Sequence, residues 1–412
     1  MCLLSVLQNH AQEPSLPTRA AEITLERQQK QRELTAETNS KWEDRVIYVR
    51  ESRLLERFTA GVAGVRVKLG GLATNGGFAA GPEYLRTDLR DGLVTLRASA
   101  QGSLKKFQKY DVEVGMPRIA GQWLSWNVYA VHHNYPELQY YGSGPNSEKT
   151  GRSDFRLEDT AVDTSLAFHP LHRVTVAGQL GYLQNNVGRG ASERFISTDE
   201  QFTEATTPGI VHQADFVRYG AFVQYDHRDR AGGARSGGLY YAQWARYVDQ
   251  IRGAFSHHRV DIEAQQFIPL INARRVIALR GRTSLTSADS GHRVPFYLKP
   301  VMGGSESVRG YRPYRFYGDQ ALLMTAEYRY EVFSGLDMAV FADAGKVADH
   351  ARDLDLRNLE SSVGFGLRFN VRNNVFLRVD TAFSHEGFQV WFKFNNVFAS
   401  GPVKTSSSQG EF

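Results

Sequence analysis

The chain of 412 residues contains a single cysteine, Cys2, which excludes internal disulfides and cysteine-based metal sites. So little cysteine suits a protein that crosses an oxidising periplasm. No run of 18 or more apolar residues occurs, so the sequence offers no membrane-spanning helix. Hydrophobic residues make up 42% and the mean hydropathy is −0.40. That test is blind to a β-barrel, whose apolar and polar residues alternate. No basic block exists either. The net charge of +5 and the pI near 9.1 come from Lys and Arg spread along the chain, which sets nucleic acid aside as a partner.

Catalytic and metal-binding patterns are also missing. Gly303-Gly304-Ser305-Glu306-Ser307 lacks the closing glycine of a nucleophile elbow, and the run from Gly142 to Thr150 lacks the Gly-Lys-Ser/Thr end of a phosphate loop. Both read as turns. His132-His133 and His257-His258 are adjacent pairs, which in a strand point to opposite faces and cannot chelate one metal. The cluster Asp226, His227 and Asp229 reads as a turn whose carboxylates pair with Arg228 or Arg230. The expectation is a protein that is not an enzyme and carries no cofactor or metal.

The first 58 residues differ in character from the remainder of the chain. Residues 1–14 read as the tail of a signal peptide or as a disordered terminus, with Cys2 to Leu7 as its apolar remnant and cleavage near Ala11. A lipoprotein anchor on Cys2 competes with that reading, although a lipobox lies upstream of its cysteine. Residues 15–58 read as a short periplasmic helical segment. Thr18 can cap a helix through Ala36 whose apolar residues are too sparse for a packing stripe, and Trp42, Val46, Val49 and Arg53 then recur at helical spacing.

From residue 59 the chain turns to strands. The spacing predicts sixteen, near 60–69, 76–86, 92–102, 106–116, 121–133, 153–168, 173–184, 214–227, 237–249, 256–267, 274–287, 319–331, 336–344, 361–370, 374–384 and 387–396. In one of them Leu322, Met324, Ala326, Tyr328 and Tyr330 share a face, opposed by Thr325, Glu327 and Arg329; the next sets Leu336, Met338 and Val340 against Asp337 and Asp343. The strand at 237–249 is ambiguous. Connections alternate between short ones and long ones such as 134–152, 185–213, 288–318 and 345–360, the asymmetry of an outer-membrane barrel with both termini in the periplasm. Trp123, Trp126 and Tyr129, then Tyr135, Tyr140 and Tyr141, then Tyr240, Tyr241 and Trp244 fall where aromatic rings favour the headgroup level.

Four motifs in the C-terminal half carry a family resemblance. Gly303-Gly304-Ser305 leading to Val308-Arg309-Gly310-Tyr311, then Glu327-Tyr328-Arg329, then Phe341-Ala342-Asp343-Ala344-Gly345 resemble the end of a bacterial surface antigen barrel of the BamA/TamA superfamily. Asp226-His227-Arg228-Asp229 with Gly237-Gly238-Leu239 resembles the periplasmic turn before a mid-barrel strand of such proteins. The resemblance implies an all-β membrane protein, an antiparallel transmembrane β-barrel of about 16 strands over 59–398. It also implies an inward-folded extracellular loop whose Arg309 reaches Asp343, with Glu327 facing the same lumen by alternation. POTRA domains, which family members carry ahead of the barrel, find no counterpart in the residues before 59.

His385 to Phe394 resembles the C-terminal insertion signal of these barrels, with Phe388, Val390, Phe392 and Phe394 on lipid and Phe398 matching the aromatic at which many relatives stop. Residues 399–412 read as a flexible tail. Glycines in the first strand, Gly61 and Gly64 among them, weaken pairing against the last strand, which opens at Gly387. The family uses such a weak seam as a lateral gate. The functional expectation is therefore assistance to insertion or translocation of envelope proteins or lipids through that seam. The alternatives are a passive or gated pore plugged by the Arg309 loop, and a structural surface protein. Implied partners are outer-membrane lipids and lipopolysaccharide, client polypeptides or envelope lipids, and unspecified periplasmic or lipoprotein components.

Overall fold

The computed structural model describes residues 63–271, 274–371, 374–394, 396 and 398. The expected leader remnant 1–14, the helical segment 15–58, Gly61 and the tail 399–412 lie outside the described residues. Sixteen strands form one antiparallel sheet in which every strand pairs with its neighbours in sequence. In chain order they are β1 (Val65–Gly70), β2 (Ala79–Leu89), β3 (Val94–Ser103), β4 (Gln108–Ile119), β5 (Leu124–Tyr140), β6 (Ser153–Leu171), β7 (Val174–Arg189) and β8 (Phe216–Asp226). The second half comprises β9 (Gly237–Asp249), β10 (His257–Leu270), β11 (Arg275–Ala288), β12 (Gln320–Phe333), β13 (Leu336–Ala348), β14 (Glu360–Val371), β15 (Asn374–Ser384) and β16 (Gly387–Lys393). The sheet curls into a nearly closed barrel. Near the gap between its edges, Phe78 of the β1–β2 link and Phe394 just past β16 bring their ring centroids to 5.5 Å.

Every expected strand is present in order, and the ambiguous 237–249 is the full strand β9. The last strand is shorter than expected, ending at Lys393. Strand alternation then decides what faces where. In β12 Glu327 and Arg329 are buried while Tyr328 and Tyr330 are exposed, and β13 hides Asp337 and Asp343 while exposing Met338 and Val340. The contrast is steep, with Val340 63% exposed and Glu327 only 1%. A soluble sheet buries the apolar residue and wets the charge. This wall does the opposite, as a barrel with lipid outside and a polar lumen must.

The long connections all share one end. One end carries tight links such as 172–173 and 334–335 together with the turn 227–236; the other carries 141–152, 190–215, 289–319 and 349–359. At the long-loop end the lumen is filled. Phe296, Tyr297 and Leu298 form a single 3-10 turn that packs among Tyr140, Phe155 and Phe216 in one apolar core. Tyr140 sets its ring edge to face against Phe296 at 5.1 Å and Tyr317 at 4.9 Å.

Those contacts correct part of the aromatic expectation. Tyr135, Tyr140 and Tyr141 are buried in the mouth and do not mark a headgroup belt. Tyr135 faces inward by the same alternation as Tyr129 and Val131, and a one-residue register shift between Tyr135 and Leu138, around Pro136, resets the parity before Tyr140. Tyr129 and Tyr241 are buried on the inner face, since alternation sends them opposite to their outward neighbours. Trp123, Tyr240 and Trp244 do lie exposed on the outer face.

The sixteen strands span residues 65–393. A fragment spanning 59–398, refolded in detergent, is expected to give a strong β-sheet signal by circular dichroism and a band that shifts on heating before electrophoresis. A disordered spectrum with no heat-shifted band would contradict the architecture.

Candidate functional site

The loop 289–319 leaves β11 at the long-loop end and folds back into the barrel, braced by a two-residue ladder between Val301–Met302 and Phe316–Tyr317. At its inner reach Val308, Arg309, Gly310 and Tyr311 are all buried. Arg309 is the hub. Its Nε and Nη2 donate to the two carboxylate oxygens of Asp343, each at 2.8 Å, and its backbone N–H reaches Asp343 Oδ2 at 3.2 Å. Nη1 donates to Glu327 Oε2 at 3.0 Å and faces Asp380 Oδ2 at 3.5 Å. The guanidinium plane also covers the Phe341 ring, its carbon 3.3 Å from the centroid.

Charge balance explains why a guanidinium tolerates this depth. Arg309, Arg329, Arg368 and Arg378 are interleaved with Glu306, Glu327, Asp343 and Asp380. Arg368 bridges Glu327 (3.0 Å) and Asp380, and Arg378 joins Asp380 at 3.0 Å to Glu306 of the loop at 2.9 Å. Burial alone works against the Arg309 charge, but Asp343, Glu327 and Asp380 more than offset it and hold its pKa above the ordinary arginine value. Tyr311 Oη donates to Glu360 Oε2 at 2.6 Å; burial, with that carboxylate beside it, pushes the phenol pKa up.

Two glycines make the close packing available. A Cβ on Gly310 would stand 2.7 Å from Ser362 Cβ and 2.9 Å from the Phe383 carbonyl, so this glycine serves close approach to the wall, with no left-handed turn involved. A Cβ on Gly364 would meet the Phe341 ring at 2.5 Å, so β14 leaves room for the ring that carries Arg309.

The sites expected from the sequence fall in three places. Val308, Arg309, Gly310, Tyr311, Glu327 and Asp343 come together in the loop-wall cluster centred on the guanidinium. Gly64, Gly387, Phe388, Val390, Phe392 and Phe394 lie along the two sheet edges, with Phe388, Val390 and Phe392 exposed outward and Phe394 half-buried between Phe78 and Phe376. Asp226, Arg228 and Asp229 sit at the short-turn end, away from the cluster. There Arg228 grips Asp226 at 2.8 Å, and Asp229 accepts the backbone N–H groups of Arg235 and Ser236. Arg228 also donates to the carbonyl of Phe398, whose ring is buried inside on Phe267 at 5.5 Å, so the chain after β16 turns into the lumen.

Sequence reasoning left out Asp380, Arg368, Arg378, Glu306, Phe341 and Trp391. Their strand parity was readable, because Arg368 alternates with Leu367 and Phe369, and Arg378 and Asp380 with Leu377 and Val379. Which lumenal charge meets the loop depends on how the barrel curves, and parity carries no information on that.

Removing Arg309 leaves the buried Asp343 carboxylate without its cation, and removing Asp343 takes away the two-pronged partner of the guanidinium, which keeps only Glu327 and the more distant Asp380. Arg309→Ala and Asp343→Ala are each expected to cost about 3–5 kcal/mol, and the double mutant less than their sum. Gly310→Ala should cost about 1–3 kcal/mol through overpacking. Urea unfolding in detergent or lipid vesicles measures all four, and additive single mutants would show that the cluster is not one unit.

Residues 94–389 match the Omp85 superfamily domain. In fold the chain is similar to BamA from Haemophilus ducreyi lacking POTRA domains 1–3, with 13% identity, a TM-score of 0.61, and coverage of 81% of this chain and 69% of that one. It is also similar to CdiB from Escherichia coli, with 12% identity, a TM-score of 0.55, and coverage of 81% and 62%. No curated protein matches the chain. A sixteen-stranded barrel with an inserted arginine loop, matched over most of its length, thus belongs to the Omp85 superfamily, whose barrels are outer-membrane proteins.

Proposed function

We propose that the protein stands in the bacterial outer membrane with both barrel termini on the periplasmic side and assists insertion or translocation of envelope polypeptides or lipids through the seam between β1 and β16. One observation carries this reading. The strand order runs from β1 to β16, and among the described residues no ladder joins those two strands. Both edges are also short, at 6 and 7 residues, where β6 runs to 19. An unpaired edge offers a row of backbone N–H and C=O groups to any extended segment that reaches it. Inside a bilayer those groups have no water to satisfy them, so a client strand is a favourable partner there.

The mechanism is physical and has no covalent step. A client hairpin pairs with one edge, shields its own polar backbone from lipid, and leaves sideways once its strands are complete. Outer apolar rows support lateral release, because Val65, Val67 and Leu69 on β1 and Phe388, Val390 and Phe392 on β16 already face lipid. The filled lumen disfavours the pore alternative in this state, since conduction requires the aromatic core at the long-loop end to leave.

Two measurements separate the readings. With Cys2 replaced, a cysteine pair at positions 78 and 394, whose rings touch across the seam, is expected to crosslink, and a locked seam should abolish the rescue of envelope defects that the unlocked protein gives on depletion. Full rescue by the locked protein would remove the lateral route. In planar bilayers the intact protein should show little steady conductance, whereas large constant currents would favour the pore.

A further inference from the structure

β16 has a strand partner on one side only, and its lumenal face and hairpin tip are held instead by loops. Trp391 is buried on the lumenal side of that strand, although its neighbours Val390 and Phe392 are exposed to lipid. Its indole Nε1–H donates to the backbone carbonyl of Arg309 at 2.7 Å. Nearby, Ser384 Oγ donates to the carbonyl of Gly310 at 2.9 Å, and Tyr311 Oη lies 3.0 Å from His385 Nδ1. At the tip of the β15–β16 hairpin Glu386 accepts from Arg315 Nε at 2.8 Å. Its backbone carbonyl takes Lys149 Nζ at 2.6 Å, and Arg315 in turn holds the Ser147 carbonyl at 2.8 Å.

Each of these bonds comes from the inserted loop or from loop 141–152, and none from β1. We infer that the inserted loop is the latch of the last strand: Trp391 ties β16 to the carbonyl of Arg309, and Glu386 ties the hairpin tip to the Arg315 side chain of the same loop, so that withdrawing the loop frees the strand. The two consequences of Arg309 burial are then linked. Its side chain fixes the loop to β12, β13 and β15, while its carbonyl and those of its neighbours pass that fixation to β16. Trp391 and Glu386 are positioning residues in this scheme. A binder that pulls loop 289–319 outward from the cell surface would loosen the seam from a distance, which requires differential affinity for the two loop states.

The latch rests on the seam reading only for its biological consequence, and the test keeps the two apart. Trp391→Phe removes the indole N–H and retains an aromatic ring, and Glu386→Gln removes the charge while retaining an acceptor. Hydrogen–deuterium exchange on the full chain in lipid discs reads the strand directly. In each variant the amides of 387–393 are expected to exchange about threefold to tenfold faster, the population change that loss of one hydrogen bond of ordinary net strength produces. Amides of 320–333 should stay as they were. Trp126→Phe, which removes an indole bond to Thr164 Oγ1 on β5–β6, should leave 387–393 untouched. Unchanged exchange in both latch variants, each still giving the heat-shifted band of a folded barrel, would overturn the inference whatever the activity. Faster exchange at 387–393 with unaltered client insertion would uphold the latch and count against the seam route.

Discussion

A guanidinium with no solvent exposure, held in the lumen by carboxylates from three strands, is the constraint on which the rest of this structure depends. An unpaired charge at that depth is prohibitive, so the loop carrying Arg309 is held where Asp343, Glu327 and Asp380 converge, and Asp343 takes its ion pair from Arg309. A buried ion network is weak evidence for high stability, since apolar packing often does as well. It is better suited to specifying a single arrangement, because every misplacement leaves a charge uncompensated. Gly310 and Gly364 answer the same requirement, as the spaces through which the loop backbone and the Phe341 ring reach the wall.

From that anchor the barrel acquires a polarity around its circumference. β12 to β16 are tied to the loop through side chains and carbonyls. The opposite edge belongs to a separate set of contacts, since Arg66 and Lys68 of β1 face Glu83 of β2, and Arg97 links Asp111 and Glu113 on β4. Each edge strand is therefore fastened to its own side of the molecule. Near the gap between the edges, the contact is an apolar ring pair, Phe78 on Phe394. Separating two such bodies breaks fewer polar interactions at the seam than anywhere else in a continuous antiparallel ladder.

Much of this was legible before any coordinates. Alternation put Tyr328 and Tyr330 on one face and Glu327 and Arg329 on the other, because a period of two leaves each strand only two choices, and the barrel reading then sent the first pair to lipid and the second to the lumen. The arginine in Val308-Arg309-Gly310-Tyr311 was legible through resemblance, as was Asp343 opposite it. Three kinds of information were not. Pro136 resets the parity of β5, so Tyr140 could not be followed past it. Distances across a lumen depend on curvature, so Asp380 and Arg378 could be placed on the inner face without their partners. Alternation sends Trp391 inward, opposite to Phe388, Val390 and Phe392, but the acceptor that its indole N–H meets there is set by the position of the loop.

The two routes a client could take differ in what each must disrupt. Passage along the barrel axis has to clear an aromatic core at the long-loop end and the ion cluster beneath it. It must also clear the short-turn end, where Arg235 reaches across from the 227–236 turn to Asp337 at 2.8 Å and Phe398 is buried against Phe267. These obstacles are packed by different segments, so one local change cannot remove them all. Movement at the seam leaves the aromatic core, the ion cluster and the short-turn closure in place, and exposes only strand edges that a client can satisfy. On the proposed function, a filled lumen and a weakly joined edge are complementary features: the first obstructs the axial route, and the second confines opening to the place where an incoming strand would supply the missing hydrogen bonds.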